Sequence, residues 1–575
     1  MKFNFALAIL LTSIFFHCQS KEDQLYLESI RNSLLPEIDL ILIPNKYNYL
    51  DESWILERKK THFTKVKISK ELQRYNRNWN DFQKEYKEFI KEENGKITLD
   101  GYGISHSTHF DYDRNIPIVF YGPKYFNKSL YMKTIYQQHI TPTIATLIDS
   151  PIPQGAVEKP LVEIFRKNNN EIQKPELILF IVLDQGGTEL YNSHKESYPN
   201  IKRLFVNGAY FPNANVGHID AHTAVGHVSI GTGGYPRQHH IIGNDQIYPL
   251  ENGKTKKVPV YENTKNSINP NQMEVETLAD IWDLYRNNKP VIISQCYAVR
   301  ASIGMAGHGK DYNNKLNKIP NLNNISEESD KDFVYWLSKK ELKWVTSTNQ
   351  YSLPEVIKGF KIQNYFVNNE KYDYWKNNSI DFINPEKDFY KIVGSPYQSK
   401  MESEMLQSVI QTEIINKNLH KDQETDLVYI TFKAIDAVGH THGWESEQSR
   451  LVFEETDNQV GELIEFLEKN YGDNFAIVLT ADHGAGPRME FTGGQFLSYS
   501  DLIEEIQFLL PSHVRKKEYL VNYYTTGQIS LNKKVMEKYK VSTFQIQKAI
   551  ESIKVNNKEF FYKVLRSSDI HNTQN

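Results

Sequence analysis

Cysteine is almost absent, with only Cys18 and Cys296 in 575 residues. If Cys18 is acylated, Cys296 has no partner in the chain and no intramolecular disulfide can form. Cys296, near the end of Val291-Ile-Ile293, reads as a small core residue and not as a metal ligand. The amino-terminal apolar run, Phe5 to Phe16 after Lys2, is too short to span a bilayer as a stable anchor and has the form of a signal peptide. Cys18 directly after it fits a bacterial lipoprotein of the periplasm, outer membrane or cell surface. Phe16-His17 departs from a lipobox, which keeps plain secretion and a short retained anchor open. An excess of one charge is also lacking: 67 Lys and Arg face 71 Asp and Glu, a formal net charge of -4 that gives no reason to invoke nucleic acid. Arg58-Lys-Lys60 and Arg515-Lys-Lys517 read as solvated faces, and no internal repeat is present. The composition is that of a globular chain with ample length for a core.

What the chain does have is acid and imidazole at the ends of apolar strands. Ile477-Val-Leu-Thr-Ala-Asp482-His483-Gly484 presents an adjacent carboxylate and imidazole, although an Asp-His pair there can also cap a following helix. Leu177-Ile-Leu-Phe-Ile-Val-Leu-Asp184 reads as a strand buried on both faces and ends in one carboxylate. Asp436-Ala-Val-Gly-His440 follows the apolar stretch Leu427 to Phe432. In His222-Thr223-Ala-Val-Gly226-His227-Val-Ser-Ile-Gly-Thr-Gly233 a hydroxyl precedes a Gly-bounded turn and the start of a helix. Asp, Asp/His and Asp/His suit two neighbouring zinc ions with open positions for substrate. A two-metal site suits phosphoryl transfer. Thr223 is the candidate nucleophile, and its hydroxyl needs a metal or base beside it.

These segments, with Ile-Ile-Gly243-Asn244-Asp245, resemble the alkaline phosphatase superfamily. More narrowly, they resemble its threonine-nucleophile alkaline phosphatases and the related nucleotide pyrophosphatases/phosphodiesterases. Phe333-Val-Tyr-Trp336, Lys343-Trp-Val-Thr346-Ser-Thr348 and Ser395-Pro-Tyr397 resemble the segments between metal motifs in the monoesterase branch. The resemblance runs from about residue 175 to the end. It implies that Asp184, Thr223, Asp482 and His483 hold one zinc and that Asp436 and His440 hold the other, which is then one histidine short.

In the family that histidine comes late in the chain, yet nothing after residue 484 matches its motif. A match lies at the front instead: Ser105-His106-Ser-Thr-His-Phe-Asp-Tyr-Asp113-Arg-Asn-Ile-Pro-Ile-Val-Phe-Tyr-Gly122, followed by Thr141-Pro-Thr-Ile-Ala-Thr-Leu147. Upstream, Ile38-Asp-Leu-Ile-Leu-Ile-Pro44 resembles the preceding strand. The chain therefore reads as a circular permutant with His106 as the missing ligand and His109 as its competitor. The rival reading makes the front segment an unrelated domain. Permutation is undemanding where termini lie at the surface.

Asn244 matches an amide donor to a phosphate oxygen, unless it is only a turn residue. Arg300 matches an arginine that grips phosphate, which a guanidinium fork suits. Monoesterases of this branch generally have Lys-x-Arg where this chain has Ala298-Val299-Arg300. One cation is absent, which shifts preference toward diesters or lowers monoesterase activity unless Lys310 or Lys433 reaches the same place. Retention of Arg300 argues for monoesters. Sulfatases need a Cys/Ser-x-Pro-x-Arg context that neither cysteine has, and the cofactor-independent phosphoglycerate mutases use serine with manganese.

The expected fold is α/β, a mostly parallel central sheet between helices as in alkaline phosphatase, circularly permuted and with a cap insertion. The segments are a signal peptide and lipobox (1–18), a tether (19–30), a permuted carboxyl-terminal piece with a helical insertion (31–160), core (175–310), cap (311–420) and further core with a small appended unit (421–575). The expected function is hydrolysis of small phosphate monoesters or nucleotides through a phosphothreonine at Thr223, with two zinc ions. A phosphodiesterase/nucleotide pyrophosphatase on the same site, and an inactive cell-surface binding protein, are the alternatives.

Overall fold

The computed structural model describes residues 21–166, 174–250, 255–262, 267–312, 331–365, 374–375, 385–525 and 527–571. The signal-peptide and lipobox reading, Cys18 included, lies outside the described residues. In chain order the main strands are β1 (Leu40–Pro44), β2 (Asn115–Tyr121), β3 (Leu177–Leu183), β4 (Ala209–Asn215), β5 (Ile292–Gln295), β6 (Asp332–Ser338), β7 (Asp426–Phe432) and β8 (Phe475–Thr480). The main helices are α1 (Ile140–Ile148), α2 (Thr223–Thr232), α3 (Val299–Ala306), α4 (Pro396–Ile410), α5 (Ala434–His442) and α6 (Glu447–Tyr471).

Strands β3, β7 and β8 are buried at every position, so their sheet must be covered on both faces. Because side chains alternate along a strand, Leu177, Leu179, Ile181 and Leu183 enter one core with residues of α4 and α6. Ile178, Phe180 and Val182 enter the other, with residues of α1, α2 and α3. Each such aliphatic side chain contributes roughly 1.5–3 kcal/mol when fully buried. Strands β6, β5, β7, β3 and β8 run parallel in that order. Beyond β8 the sheet continues with β2, antiparallel to it, and then β4.

Residues 104–165 therefore contribute to the two central cores. Ile118 and Phe120 of β2 join one hydrophobic cluster, and Val119 and Tyr121 the other. Strand β1 instead lies in a six-stranded antiparallel sheet, between Gln528–Leu531 and Phe561–Arg566. The two ends of the described chain meet there: Ile30, Leu34, Leu35 and Ile38 pack in one cluster with Ile570, and Ser567 N–H donates to Asp39 O at 3.0 Å.

Three segments are built as follows. The expected tether is helical from Lys21 to Ser33, and Ile30 is fully buried. Residues 59–101 are not helical throughout: Lys59–Thr64, Ile90–Glu93 and Lys96–Gly101 form a three-stranded sheet that packs on two helices through Phe63, Ile68, Leu72 and Phe82. The stretch expected as a cap supplies β6 to the central sheet and α4 to the helical layer. The apolar run of β6, Phe333 to Leu337, is half-buried at Phe333 and Trp336, unlike the fully buried β3 and β7.

A chain truncated before residue 174 loses β2 from between β8 and β4 and is expected not to fold. A rearranged chain opened between residues 166 and 174, with its present ends joined by a short linker, is expected to unfold within a few degrees of the original. Circular dichroism melting of both proteins checks this, and a stably folded truncated chain would contradict it.

Candidate active site

Register brings the acidic residues together. Phe432 pairs with Leu183, and Thr480 pairs with Val182, so β7, β3 and β8 end side by side. Asp184, Lys433 and Ala481-Asp482-His483 leave these neighbouring ends, on the side where parallel sheets bind ligands. Asp436 lies in the first turn of α5 and His440 one turn later, on the same face. Thr223 is the first residue of α2, so its hydroxyl sits at the positive end of that helix. Gly226 allows the approach of α2, because a Cβ there would stand 2.6 Å from the Asp482 carbonyl oxygen.

The remaining histidine comes from the front segment. Ile104 N–H donates to His440 O at 2.9 Å, and His440 Nδ1–H returns a bond to Ile104 O at 2.9 Å. Gly486 N–H donates to Ser105 O at 3.1 Å and Gly484 N–H to Asp113 O at 2.7 Å. Asp113 Oδ2 accepts from both Thr108 N–H and its hydroxyl, at 2.7 and 2.6 Å. The loop bearing His106 is thus stitched to both downstream acid-imidazole motifs. His106 Nε2 stands 3.9 Å from Asp436 Oδ1, whereas the His109 ring stacks on Phe110.

Three imidazoles share one orientation. The Nδ1–H groups of His106, His440 and His483 donate to the carbonyl oxygens of Ala221, Ile104 and Gly484 at 2.6, 2.9 and 2.8 Å. Their Nε2 atoms face carboxylates: His440 is 3.2 Å from Asp436 Oδ1, and His483 is 3.7 Å from Asp184 Oδ1 and 3.4 Å from Asp482 Oδ2. A carbonyl on one ring nitrogen and an open second nitrogen is how a histidine is prepared to bind metal. The ligand atoms of His106, Asp436 and His483 lie within 4.8 Å of one another, as do those of Asp184, His227 and Asp482. His227 does not fit the second group, because its Nδ1 bonds Thr223 O at 2.7 Å and its Nε2 bonds the Thr431 hydroxyl at 2.8 Å. It braces the opening turn of α2 against β7.

Electrostatics agree with a cation-binding site. Burial pushes Asp184 up to about 6 against the pull of Lys433, and burial together with Asp184 raises Asp482 well above the ordinary carboxylate value. For Asp436, Lys433 and His440 outweigh burial and hold it well below. Burial drives His483 down to about 3, and lowers His106 as well, so both are neutral imidazoles. Asp184, Asp482 and His483 carry buried polar atoms without hydrogen-bond partners. Neutral imidazole and carboxylate donors fit a divalent transition metal such as zinc. Cys296 is fully buried beside Ala298 and Ala301, and it is not in either group.

Of the residues expected to meet substrate, Asn244 uses Oδ1 to accept from Ala224 N–H at 2.9 Å, which ties it to the start of α2. Arg300, in the first turn of α3, interacts electrostatically with Asp184 and Asp436. Of the two lysines the sequence offered for the cation missing at Ala298, Lys433 reaches the nucleophile, donating to Thr223 Oγ1 at 3.0 Å. Lys310 sits against Gln350 through its backbone N–H.

Four contributors were not assigned from sequence. Gln185 joins the motifs, its N–H donating to Asp482 Oδ1 at 3.0 Å and its Nε2–H to Asp436 Oδ1 at 3.1 Å. Ser107, at φ 82°, brings its hydroxyl within 2.7 Å of His222 Nε2. Trp54 packs edge-on to His440 with ring centres 5.3 Å apart, at a mouth that also includes Asp245 and Lys257. Only the position of His222 beside Thr223 was a usable signal.

The family described as type I phosphodiesterase / nucleotide pyrophosphatase matches residues 178–575. Among curated relatives, the chain is 23% identical to alkaline phosphatase PafA of Elizabethkingia meningoseptica over 382 residues, 61% of this chain and 67% of that one. It is 26% identical to alkaline phosphatase PhoK of a Sphingomonas species over 328 residues, 54% of this chain and 55% of the relative. The chain thus spans little more than half the length of the second relative. The solved wild-type PafA structure superposes with a TM-score of 0.48 at 18% identity, covering 69% of this chain and 85% of that chain.

A metal-linked pH dependence follows. Asp184 and Asp482 are raised from the ordinary value of 3.8, so without metal their contribution to stability is present below it and is lost as pH rises through about 6 for Asp184. Asp436 is lowered, so its contribution is complete above 3.8 and does not change in that window. Metal favours the ionised carboxylates. The Tm difference between zinc-loaded and chelated protein is expected to widen from about pH 5 to about pH 8. A difference that stays constant across that range, read by differential scanning fluorimetry, would contradict the assignment.

Proposed function

We propose that this chain, which belongs to the type I phosphodiesterase / nucleotide pyrophosphatase family, is an exported hydrolase of small phosphate monoesters that uses Thr223 as its nucleophile. The supporting observation is the setting of Thr223, a buried hydroxyl at the positive end of α2 that accepts a hydrogen bond from the Lys433 ammonium, itself paired with Asp184 and Asp436. In the first step the Thr223 Oγ–P bond forms and the ester P–O bond breaks. The hydroxyl proton passes to solvent and the departing alkoxide takes one from solvent. In the second step water forms a bond to phosphorus, the Oγ–P bond breaks, and Thr223 regains a proton.

Asn244, its oxygen already engaged by Ala224 N–H, turns its amide NH2 toward phosphate. Arg300 matches two phosphoryl oxygens with its fork. Asp184, Thr223, Asp482 and His483 would hold one zinc ion, and Asp436, His440 and His106 a second. Zinc would polarise the phosphoryl group and lower the pKa of a bound hydroxyl. Diester hydrolysis is the second reading, favoured by the absence of a cation at Ala298. Among the described residues no helix is long and apolar enough to cross a membrane, and attachment would rest on a lipid at Cys18.

Circular permutation is part of the same reading. The family match begins only at residue 178, yet residues before it supply β2 and His106, and the two ends of the described residues pack together.

With an aryl phosphate and zinc, Thr223→Ala is expected to lose roughly a thousandfold or more of kcat, as removal of a covalent nucleophile does. Acid quenching of the wild type should trap phosphate on Thr223. His106→Ala should lose activity together with bound zinc. A matching aryl diester assayed in parallel separates the two readings. A Thr223→Ala protein as active as wild type would overturn the nucleophile assignment.

A further inference from the structure

Lys433 is a charged residue of the centre that neither the metal set nor the phosphate-binding pair uses. It follows β7 directly, and the pairing of Phe432 with Leu183 sets it beside Asp184 on the adjacent strand. Its side chain is 1% exposed. An ammonium has three N–H donors, and here it donates to Thr223 Oγ1 at 3.0 Å while pairing as an ion with Asp184 Oδ2 at 2.6 Å and Asp436 Oδ2 at 2.7 Å.

The two carboxylates divide their oxygens. Their Oδ2 atoms face Lys433, while Asp184 Oδ1 faces His483 and Asp436 Oδ1 faces His106 and His440. Each acid therefore serves Lys433 with one oxygen and keeps the other toward the imidazoles. The ammonium does not displace the donor set. A lysine that only balanced charge would need the carboxylates alone, whereas the third N–H is directed at the hydroxyl oxygen expected to react. Being the donor in that bond, Lys433 leaves the Thr223 proton directed elsewhere.

We propose that Lys433 is a further catalytic residue, an oxyanion donor for the nucleophile's own oxygen. The inference rests on the reading of Thr223 as nucleophile. In the first step Lys433 stabilises the charge that develops on Oγ as the hydroxyl proton leaves for solvent and the Oγ–P bond forms. In the second it donates to the same oxygen as the Oγ–P bond to phosphothreonine breaks, so that Oγ departs as a stabilised alkoxide and then takes a proton from solvent. Lys433 keeps its own protons throughout. A positioned donor of this kind is worth roughly 10²–10³ in kcat. Because both steps use it, its loss should slow the formation and the breakdown of the phosphoenzyme.

The test is Lys433→Met in the full chain loaded with zinc, beside wild type and Thr223→Ala, with an aryl phosphate as substrate. The expected result is a fall of roughly a hundredfold or more in kcat, with zinc content by mass spectrometry and melting temperature close to wild type. Rapid-quench measurement should show slower appearance and slower decay of protein-bound phosphate. Lys433→Gln, which keeps an N–H donor without the charge, should recover part of the loss, and it carries the test if the methionine variant fails to fold. Activity of Lys433→Met within threefold of wild type would overturn the proposal. So would a loss that saturating zinc fully reverses, because Lys433 would then serve only to balance the carboxylates. A Thr223→Ala protein as active as wild type would instead sink the nucleophile reading, which separates the two failures.

Discussion

Burial of three carboxylates at the ends of adjacent strands is the constraint on which this centre depends. Asp184, Asp436 and Asp482 are almost fully removed from water within one cluster. Anions in such a place are costly unless cations and hydrogen bonds meet them. Lys433 answers two of them, three imidazoles turn Nε2 toward them, and the unpartnered oxygens suit a divalent ion. With divalent ions held by these donors, the site would present positive charge to a phosphoryl group. Stability and chemistry here come from one electrostatic problem and its solution.

Chain order does not enter that solution. His106 is 330 positions before Asp436 in sequence, yet it is held through a backbone bond from Ile104 to His440, a bond from the His440 ring back to Ile104, and bonds from the glycines that follow His483. Strand β2 completes the central sheet from the same early segment, and β1 sits in the second sheet between strands from the far end. Ile30 and Ile570 share a cluster, so the two ends of the described residues lie together.

Much of this was legible in the sequence for physical reasons. Strands β3, β7 and β8 are continuous apolar runs because both their faces are covered, and a carboxylate directly after such a run stands at a buried strand end, where an anion needs a cation to offset its desolvation. His106 was legible through its motif. Strand β6 was not, because a short apolar run such as Phe333 to Leu337 does not by itself distinguish a strand from a buried helix segment, and Lys59–Thr64 was not, because a charged and exposed strand has the pattern of a surface helix. Lys433 was legible only as one of two candidates for the cation missing at Ala298. A lysine after a strand usually points to water, and only the register of β7 against β3 directs this one inward. The pairing of Ser107 with His222 depends on a positive φ that no sequence pattern announces.

The central claim is that an early histidine and late acids form one metal centre around Thr223. The most direct measurement is anomalous X-ray diffraction at the zinc edge from zinc-loaded crystals. It should place an anomalous peak within about 2.0–2.2 Å of His106 Nε2 and of an Asp436 oxygen, with His440 as a further ligand. Zinc peaks with His106 outside the coordination sphere, or none near Asp436, would contradict it.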